Sequence, residues 1–243
     1  MESPYERTAL LLGQSALEKL QNSLITVVGL GGVGGHCTEA LARAGVGRLH
    51  LVDFDTVNLS NLNRQLVATK LTVGQKKTEA MAARVREVSD CRVTCYDGFV
   101  TAQTVAEAVP EDSDFLVDAI DSAAGKLALA CYARDHGIPM VSCMGAGNRL
   151  DPTAFHVIDI YRTQNDPLAR KMRHELRKAG IESLPVVCST ELSHARPGQT
   201  VIGSFAPVTA AAGLTAAGYS LRFLVESFLP KDAPSGDAPA KKT

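Results

Sequence analysis

The 243-residue chain is predicted to fold as an α/β protein with a doubly wound, mainly parallel β-sheet. Short runs of aliphatic and β-branched residues alternate with helical patterns through the first half, and this alternation is typical of parallel sheets. A glycine-rich turn directly follows the first apolar run, as expected where a strand leads into a helix. The second half departs from this alternation, so we expect an antiparallel C-terminal extension there, followed by a long C-terminal helix.

The elements of the first half follow one another in a regular order. A capping-box pattern from Ser15 to Glu18 predicts a short helix before the first strand. Apolar runs predict five strands, and apolar residues at helical spacing predict the helices between them. The predicted strands are 24–29, 48–53, 92–96, 115–120 and 139–143, and the predicted helices are 33–45, 74–89, 101–109 and 123–136.

After Gly147 the pattern changes. We predict a strand over 155–160, a charged helix over 167–179, and an irregular stretch over 181–206 with a strand at 200–205. The last helix is predicted to start after Pro207, to run to about 229, and to be a close-packed core or interface helix because it is rich in small residues. A membrane span is less favoured, since the charge pair near its end is costly in lipid.

The predicted domain organisation is simple. Residues 1–229 are expected to form one nucleotide-binding domain with a nucleotide half, 1–147, and a substrate and dimer half, 148–229. Residues 230–243 have the composition of a disordered tail.

The composition, with 45% hydrophobic and 21% charged residues, is typical of an ordinary soluble protein. The net charge of −1 argues against a strongly basic, non-specific nucleic-acid binder, although a local basic patch is compatible with it. The six cysteines include no C-x-x-C pair, so we expect reduced thiols and no structural zinc. No secretory signal is recognised at the N-terminus, and we expect a cytoplasmic protein.

The glycine-rich turn predicts nucleotide binding. Gly29, Gly31 and Gly34 match the G-x-G-x-x-G pattern, with Gly32 inside the same turn. Asp53 follows at the end of the second predicted strand, roughly 20 residues on, where an acid binds ribose hydroxyls. The alternative is a tight turn that binds nothing, but the agreement of strand, helix and acid favours a nucleotide.

Polar residues farther along point to chemistry on the phosphates of ATP. Asn61 and Arg64 follow the ribose acid closely, and Lys77 starts the next predicted helix. These side chains are suited to neutralising charge on a departing pyrophosphate. Asp121, together with Asp118, has the oxygen ligands that Mg²⁺ prefers. Singly, each has a plain alternative as a surface charge or, for Asp121, a helix cap.

Four segments together carry a resemblance to a known family: GLGGVG, LVDFDTVNLSNLNRQ, VGQKK and VDAIDS. In this order they resemble the ubiquitin-activating-enzyme-like superfamily, whose members have a Rossmann-like fold and attach AMP to a carboxylate. The resemblance implies that Gly31 and Asp53 bind adenosine and that Asn61, Arg64 and Lys77 bind the phosphates of ATP. It further implies Asp121 as the Mg²⁺ ligand.

Arg7 matches an N-terminal arginine that family members insert into a neighbouring subunit's ATP site, and this implies a homodimer. The catalytic residues implied by the resemblance are therefore Arg7, Arg64 and Asp121. From the residues alone, a plain surface arginine is the favoured interpretation of Arg7.

Three later segments resemble the tRNA threonylcarbamoyladenosine dehydratase branch of this superfamily: LDPT from Leu150, QNDPLA from Gln164, and CSTE from Cys188. The implied reaction adenylates the threonyl carboxylate of the modified adenosine, and an atom of its own side chain then displaces AMP and closes a ring. Adenylation of a ubiquitin-like sulfur-carrier protein is the main alternative, and an oxidoreductase that uses a nicotinamide cofactor is a weaker one. A non-enzymatic nucleotide-sensing module is the remaining class, and it does not account for the phosphate-directed charges. Cys188 is the thiol to test, although a packed, inert role is favoured for it.

A basic helix is the candidate RNA surface. Residues 162–178 contain six Lys or Arg against two acids, and Arg170, Arg173 and Arg177 share a helical face with His174. This face either binds RNA backbone or is simply solvated, and the resemblance favours a tRNA substrate. We expect no DNA partner and no membrane association, and a sulfur-transfer protein partner stays open.

Overall fold

The computed structural model describes residues 3–196 and 198–229. Within them, seven strands form one sheet. The strands are β1 (Leu24–Val28), β2 (Arg48–Val52), β3 (Arg92–Tyr96), β4 (Phe115–Asp118), β5 (Met140–Cys143), β6 (Phe155–Asp159) and β7 (Pro185–Ser189). The helices are α1 (Glu6–Leu12), α2 (Gln14–Asn22), α3 (Gly34–Arg43), α4 (Lys77–Val88), α5 (Val105–Ala108), α6 (Ala123–His136), α7 (Pro167–Lys178) and α8 (Ala206–Val225).

The sheet has the order β3-β2-β1-β4-β5-β7-β6, and all its strand pairs are parallel except β6 with β7. The chain leaves β1 toward β2 on one side and returns to β4 on the other. Strand order therefore reverses at β1, and ligands of such sheets bind in the crevice beyond the carboxyl ends of the strands at this point. The predicted fold is confirmed, including its antiparallel extension.

The core has two layers, one on each face of the sheet. Apolar side chains of α3, α4 and α8 pack on one face, and those of α5, α6 and α7 pack on the other. All five residues of β1 are buried, because both faces of this central strand are covered.

Helix α8 packs closely on α3. A Cβ at Gly213 would lie 2.3 Å from the carbonyl oxygen of Val33, so only a residue without a side chain allows this contact. The segment Ala206–Phe228 is long and apolar enough to span a membrane by length and composition alone, and half of its apolar window is buried inside the protein. Buried core helices meet the same criterion, so the contact with α3 explains its composition.

Two sequence-based element predictions are wrong, and one helix was missed. The irregular stretch 181–206 contains β7, and residues 200–205 form no strand, because Val201 and Ile202 are exposed and Gly203 bonds to Asn148 instead. Helix α1 was not predicted. Ser15 lies inside α2, whose N-cap is Gly13, so its capping box does not form. The predicted disordered tail lies outside the described residues.

Candidate nucleotide-binding site

The glycine-rich turn joins β1 to α3 and is closed by backbone contacts. Gly29 has a φ of +91°, a left-handed conformation that glycine adopts without strain, and its N–H donates to the carbonyl of Val52 at 2.7 Å. A Cβ at Gly34 would lie 1.7 Å from the carbonyl oxygen of Gly29. No side chain caps the start of α3. The N–H of Gly35 donates to the carbonyl of Gly31 at 3.0 Å, which leaves the N–H groups of Gly34 and His36 for an anion.

A cavity of about 320 Å³ opens beyond the carboxyl ends of β1, β2 and β4. It brings together residues that are far apart in sequence. Of the predicted nucleotide-binding residues, Gly34 lies buried behind the turn, and all the others line the cavity: Gly29, Gly31, Gly32, Asp53, Asn61, Arg64, Lys77 and Asp121.

Asp53 is held rigidly at the end of β2. One carboxylate oxygen accepts the N–H of Leu30 at 2.6 Å, and the other accepts the N–H of Asp55 at 2.8 Å. A carboxylate oxygen accepts more than one hydrogen bond, so each retains capacity for a donor in the cavity. This geometry suits a pair of ribose hydroxyls.

Two cationic side chains lie beside the turn. The Lys77 ammonium donates to an Asp55 carboxylate oxygen at 2.7 Å and is almost fully buried, whereas Asp55 is half exposed. Arg64 donates from one nitrogen, Nη1, to Ser60 O and to Asn63 Oδ1, both at 2.9 Å. The remaining donors of both side chains are not used in these contacts, so both residues have hydrogen-bonding capacity for phosphate oxygens.

The amide of Asn61 also shapes this wall of the cavity. Its Oδ1 accepts the backbone N–H of Asn58 at 3.0 Å, and Asn61 itself is buried in a short 3₁₀ turn. Arg64 and Gln65 bond through their N–H groups to the Asn61 carbonyl. The side chain of Asn61 thus fixes the start of this turn at Asn58, and its backbone carbonyl holds the segment that presents Arg64 to the cavity.

The two aspartates after β4 have different environments. Asp121 is exposed at the cavity wall. Asp118 is completely buried, where its carboxylate accepts from Lys126 Nζ at 3.1 Å and from Ser142 Oγ at 2.6 Å. The pairing of Asp118 with Asp121 as Mg²⁺ ligands is therefore wrong, because Asp118 points into the fold toward a lysine.

Several cavity residues were not predicted. Phe54 and Phe99 pack edge to face with ring centroids 4.8 Å apart, and both rings are about half exposed. Gln65 also lines the cavity, and its buried Oε1 has no partner among the described residues. Thr209 reaches the cavity from α8 and packs against Gly32. Phe54 and Gln65 stand within the recognised segment, but no local signal marks Thr209.

Other predicted residues lie away from this cavity. Arg7 is exposed on α1 and does not line the cavity of its own chain. On α7, Arg170 is exposed, Arg173 donates to the carbonyl of Thr163 at 3.0 Å, and the guanidinium of Arg177 lies 4.9 Å from the ring centre of Tyr161. Two of the three predicted RNA-binding arginines therefore also make contacts within the fold.

Cys188 is a buried residue of β7. It is 2% exposed, and burial raises the pKa of its thiol to about 11. The thiol is therefore protonated at neutral pH and is a poor nucleophile.

The fold and the cavity define a doubly wound α/β protein of the nucleotide-binding class, in which an acid at the end of β2 and two cations line one cavity beside a glycine-rich turn. Sequence comparison identifies the family more narrowly. The ThiF family profile matches residues 5–237, and the chain belongs to the ThiF family. This confirms the superfamily resemblance predicted from the sequence.

The chain is similar to several tRNA threonylcarbamoyladenosine dehydratases. A tRNA threonylcarbamoyladenosine dehydratase of Bacillus subtilis is 43% identical over 191 residues, which is 77% of this chain and 74% of the relative. A protein of the same name from Escherichia coli is 45% identical over 171 residues, covering 70% of this chain and 64% of the relative, just under two thirds of its length.

Solved structures agree with these relatives. The crystal structure of the E. coli enzyme TcdA in complex with AMP matches with a TM-score of 0.87 at 38% identity, covering 92% of this chain and 94% of that chain. The same enzyme in complex with ATP matches with a TM-score of 0.85 at 39% identity and the same coverage.

Proposed function

We propose that the protein catalyses the ATP-dependent dehydration of threonylcarbamoyladenosine in tRNA. The threonyl carboxylate attacks the α-phosphate of ATP, forming an acyl-adenylate and releasing pyrophosphate. A nucleophilic atom of the substrate's own side chain then attacks the activated carbonyl, so that a ring closes and AMP leaves. The net change in the nucleoside is the loss of one water.

One observation carries the chemistry: the ribose acid Asp53 and the cations Arg64 and Lys77 line a single cavity beside the glycine turn. A nucleotide that is only bound for hydride transfer needs no such cations, whereas a phosphoanhydride that breaks accumulates negative charge on its leaving group. The substrate is inferred from the similar proteins, which are tRNA threonylcarbamoyladenosine dehydratases. An acyl-adenylate poised beside an internal nucleophile needs no protein nucleophile, which agrees with the protonated state of Cys188.

We assign roles on this basis. Gly29, Gly31, Gly32 and Gly34 form the turn that accommodates the phosphates, and Asp53 binds the ribose. Asn61, Arg64 and Lys77 bind the phosphates, and Arg64 with Asp121 acts in catalysis.

Asp121 is proposed to bind Mg²⁺ during the reaction. Mg²⁺ at such sites is held by one or two carboxylates together with substrate phosphates and water, so a single exposed acid at the cavity wall is a sufficient protein ligand. Asp118 is excluded from this role by its ion pair with Lys126.

We further propose a homodimer in which Arg7 enters the partner's cavity. Helix α1 has no buried residue, and its Leu10 and Leu11 are each 82% exposed. On α8, Leu214 and Phe223 are also exposed. A second copy that covers these side chains removes apolar surface from water. Because Arg7 lies on the same helix α1, this contact would bring Arg7 to the partner's cavity.

The proposed division of labour follows the chain. Residues 1–147 supply most of the nucleotide site, and 148–229 supply substrate binding and dimer contacts, within one domain that functions in the cytoplasm. Helix α7 is the proposed tRNA surface, with Arg170, Arg173 and Arg177 on its basic face. The reaction transfers no sulfur, so it assigns no role to a sulfur-transfer partner.

The decisive experiment supplies purified protein with ATP, Mg²⁺ and threonylcarbamoylated tRNA, and analyses the digested nucleosides by mass spectrometry. We expect a nucleoside lighter by one water, and ATP–pyrophosphate exchange that requires the modified tRNA. Asp121→Asn should abolish both, whereas Asp135→Asn, at an exposed acid of α6, should leave both unchanged. Exchange supported by a ubiquitin-like sulfur-carrier protein and not by tRNA would replace this proposal with the alternative reaction.

Charge reversal tests the tRNA surface separately. Arg170→Glu with Lys171→Glu changes two exposed charges of α7 without removing the Arg173 and Arg177 contacts. We expect weaker tRNA binding and a shallower dependence of affinity on salt. Arg86→Glu with Arg92→Glu, at two exposed charges on α4 and β3, is the matched control. Equal binding by the α7 variant and this control would refute the assignment.

A further inference from the structure

The segment 199–205, here called the bridge segment, connects two parts of the molecule. It precedes α8, and two adjacent residues near its end make the connection: Ser204 bonds to Asn63, next to Arg64, and Gly203 bonds to Asn148, which follows β5. The Nδ2 of Asn63 donates to the carbonyl of Ser204 at 2.8 Å. The N–H of Asn148 donates to the carbonyl of Gly203 at 2.7 Å. The bridge segment therefore joins the Arg64 side of the cavity to the second half of the chain.

Asn63 makes two contacts through one amide. While its Nδ2 donates to Ser204, its Oδ1 accepts from Arg64 Nη1 at 2.9 Å. An amide that donates at one end and accepts at the other has a defined orientation. The position of the Arg64 guanidinium is thus set partly by the bridge segment, although Asn63 itself does not line the cavity.

Asn148 anchors the bridge segment through both Gly203 and Gln199. Its Oδ1 accepts from the N–H of Gly203 at 2.8 Å and from Gln199 Nε2 at 2.9 Å. Its φ of +54° is left-handed, a conformation that asparagine tolerates better than most residues. Ile202 packs on Gly147, where a Cβ would lie 2.2 Å from Ile202 Cγ2. Backbone and side chain of one residue therefore hold the bridge segment against the loop that follows β5.

We propose that Asn63 is a positioning residue that aims Arg64 at the phosphates of ATP through the bridge segment. This inference rests on the proposed function, because it assigns Arg64 to the adenylation step. An arginine side chain has many rotamers, and a displacement of about 1 Å at a catalytic group can cost about a hundredfold in rate. The Ser60 carbonyl accepts from the same Nη1 at 2.9 Å, and Asn63 adds a second acceptor whose orientation is set by its bond to Ser204. Adenylation in the first half then depends on contacts made by the second.

Two pairs of variants separate the contacts. Asn63→Ala removes both, whereas Asn63→Asp still accepts from Arg64 but has no N–H for the Ser204 carbonyl. Asn148→Gly keeps the left-handed backbone but removes the acceptor for Gly203 and Gln199, and Asn148→Asp retains that acceptor. Asn22→Asp is the matched control, because the Asn22 amide also donates to a carbonyl at 2.8 Å, that of Glu18, at the opposite end of the sheet.

The assay is ATP–pyrophosphate exchange with threonylcarbamoylated tRNA, with kcat and the KM for ATP measured separately. We expect Asn63→Ala, Asn63→Asp and Asn148→Gly to lower kcat by about tenfold or more, with the KM for ATP within about threefold of wild type. Asn148→Asp and Asn22→Asp should match wild type. Thermal unfolding of each variant shows whether it is folded. If an Asn63 variant is unstable, the comparison of Asn148→Gly with Asn148→Asp still tests the inference.

The outcomes are distinct. Wild-type kcat in Asn63→Asp alone overturns the Ser204 link, and wild-type kcat in Asn148→Gly overturns the dependence on the second half. A loss of exchange in Asn148→Asp equal to that in Asn148→Gly also overturns the inference, because the acceptor is then irrelevant. Absence of exchange in the wild-type protein removes the proposed function and this inference with it, whereas normal wild-type exchange with unaffected variants removes the inference alone.

Discussion

Replacing Lys126 with methionine tests the buried ion pair beneath the turn that carries Asp121. The Lys126 ammonium lies 3.1 Å from both carboxylate oxygens of Asp118, 3.2 Å from Ser142 Oγ and 2.7 Å from the carbonyl of Cys143. Both side chains of the pair are 0% exposed. Methionine fills a similar volume but removes the charge and all of these donors, so Asp118 remains as a buried carboxylate without its cation.

The expected cost is large. Removing one partner of a buried ion pair typically destabilises a protein by about 3–5 kcal/mol, because the other charge stays desolvated. Asp118 keeps its bonds from Ser142 Oγ and from the N–H of Ile120, which places the expected cost toward the lower end, about 3 kcal/mol. At roughly 2–4 °C per kcal/mol for a chain of this size, Tm should fall by about 6–12 °C.

Urea and thermal unfolding, followed by circular dichroism, measure the effect. Lys19→Met is the control, since Lys19 and Asp114 form a pair that is about one third exposed, and its loss should cost under about 1 kcal/mol. The double variant Asp118→Asn with Lys126→Met should cost less than the sum of the single variants, because no unpaired charge remains buried. A Lys126→Met cost equal to that of Lys19→Met would refute the reasoning.

Three further predictions concern other parts of the molecule. Cys188→Ser should retain full dehydratase activity, since burial raises the pKa of the thiol to about 11, and a large loss of activity would give the thiol a chemical role. Gly34→Ala should lose nucleotide binding and at least about 1–3 kcal/mol of stability because its Cβ would meet the Gly29 carbonyl, whereas Gly218→Ala, with nothing within 4 Å of the added Cβ, should not destabilise the fold. Burial lowers the pKa of His36 and His50 below 6.5, so their contribution to stability is full above pH 6.5 and is lost as pH falls through the lowered folded pKa. His50→Gln should therefore reduce the loss of unfolding free energy measured in urea between about pH 7.5 and 5.5, and an unchanged loss would contradict this assignment.

Elements with a strong local pattern were predictable from the sequence. Helix α6 spans 123–136 as predicted, and β3 spans 92–96, because apolar spacing and turn residues mark both ends. The stretch 181–206 was not predictable in the same way. Val201 and Ile202 have strand-forming side chains, but the backbone there bonds to Asn148 rather than to a neighbouring strand. Pairing partners distant in sequence decided where the strand forms, and local propensity carries no information about them.

Those residues of the candidate site that lie in short segments directly after strands were predictable from the sequence. Parallel topology brings the carboxyl ends of β1, β2 and β4 to one edge of the sheet, and Gly31, Asp53 and Asp121 directly follow these ends. Thr209 could not be found this way, because it reaches the cavity only through the packing of α8 on α3. Phe99 was missed because a single aromatic residue after a strand is as often part of the core.

Unused hydrogen-bonding capacity distinguishes the residues available to a ligand from those that hold the fold. Asp118 and Asp121 are three positions apart, yet the carboxylate of Asp118 is surrounded by donors, whereas Asp121 stands exposed at the cavity. The lysines differ in the same way. The Lys126 ammonium donates to Asp118, Ser142 and the carbonyl of Cys143. Lys77 lines the cavity and donates to one carboxylate, that of Asp55, which is half exposed and can be solvated by water. A phosphate can therefore share the Lys77 ammonium without leaving a buried charge unpaired, whereas any ligand that drew on Lys126 would leave Asp118 uncompensated.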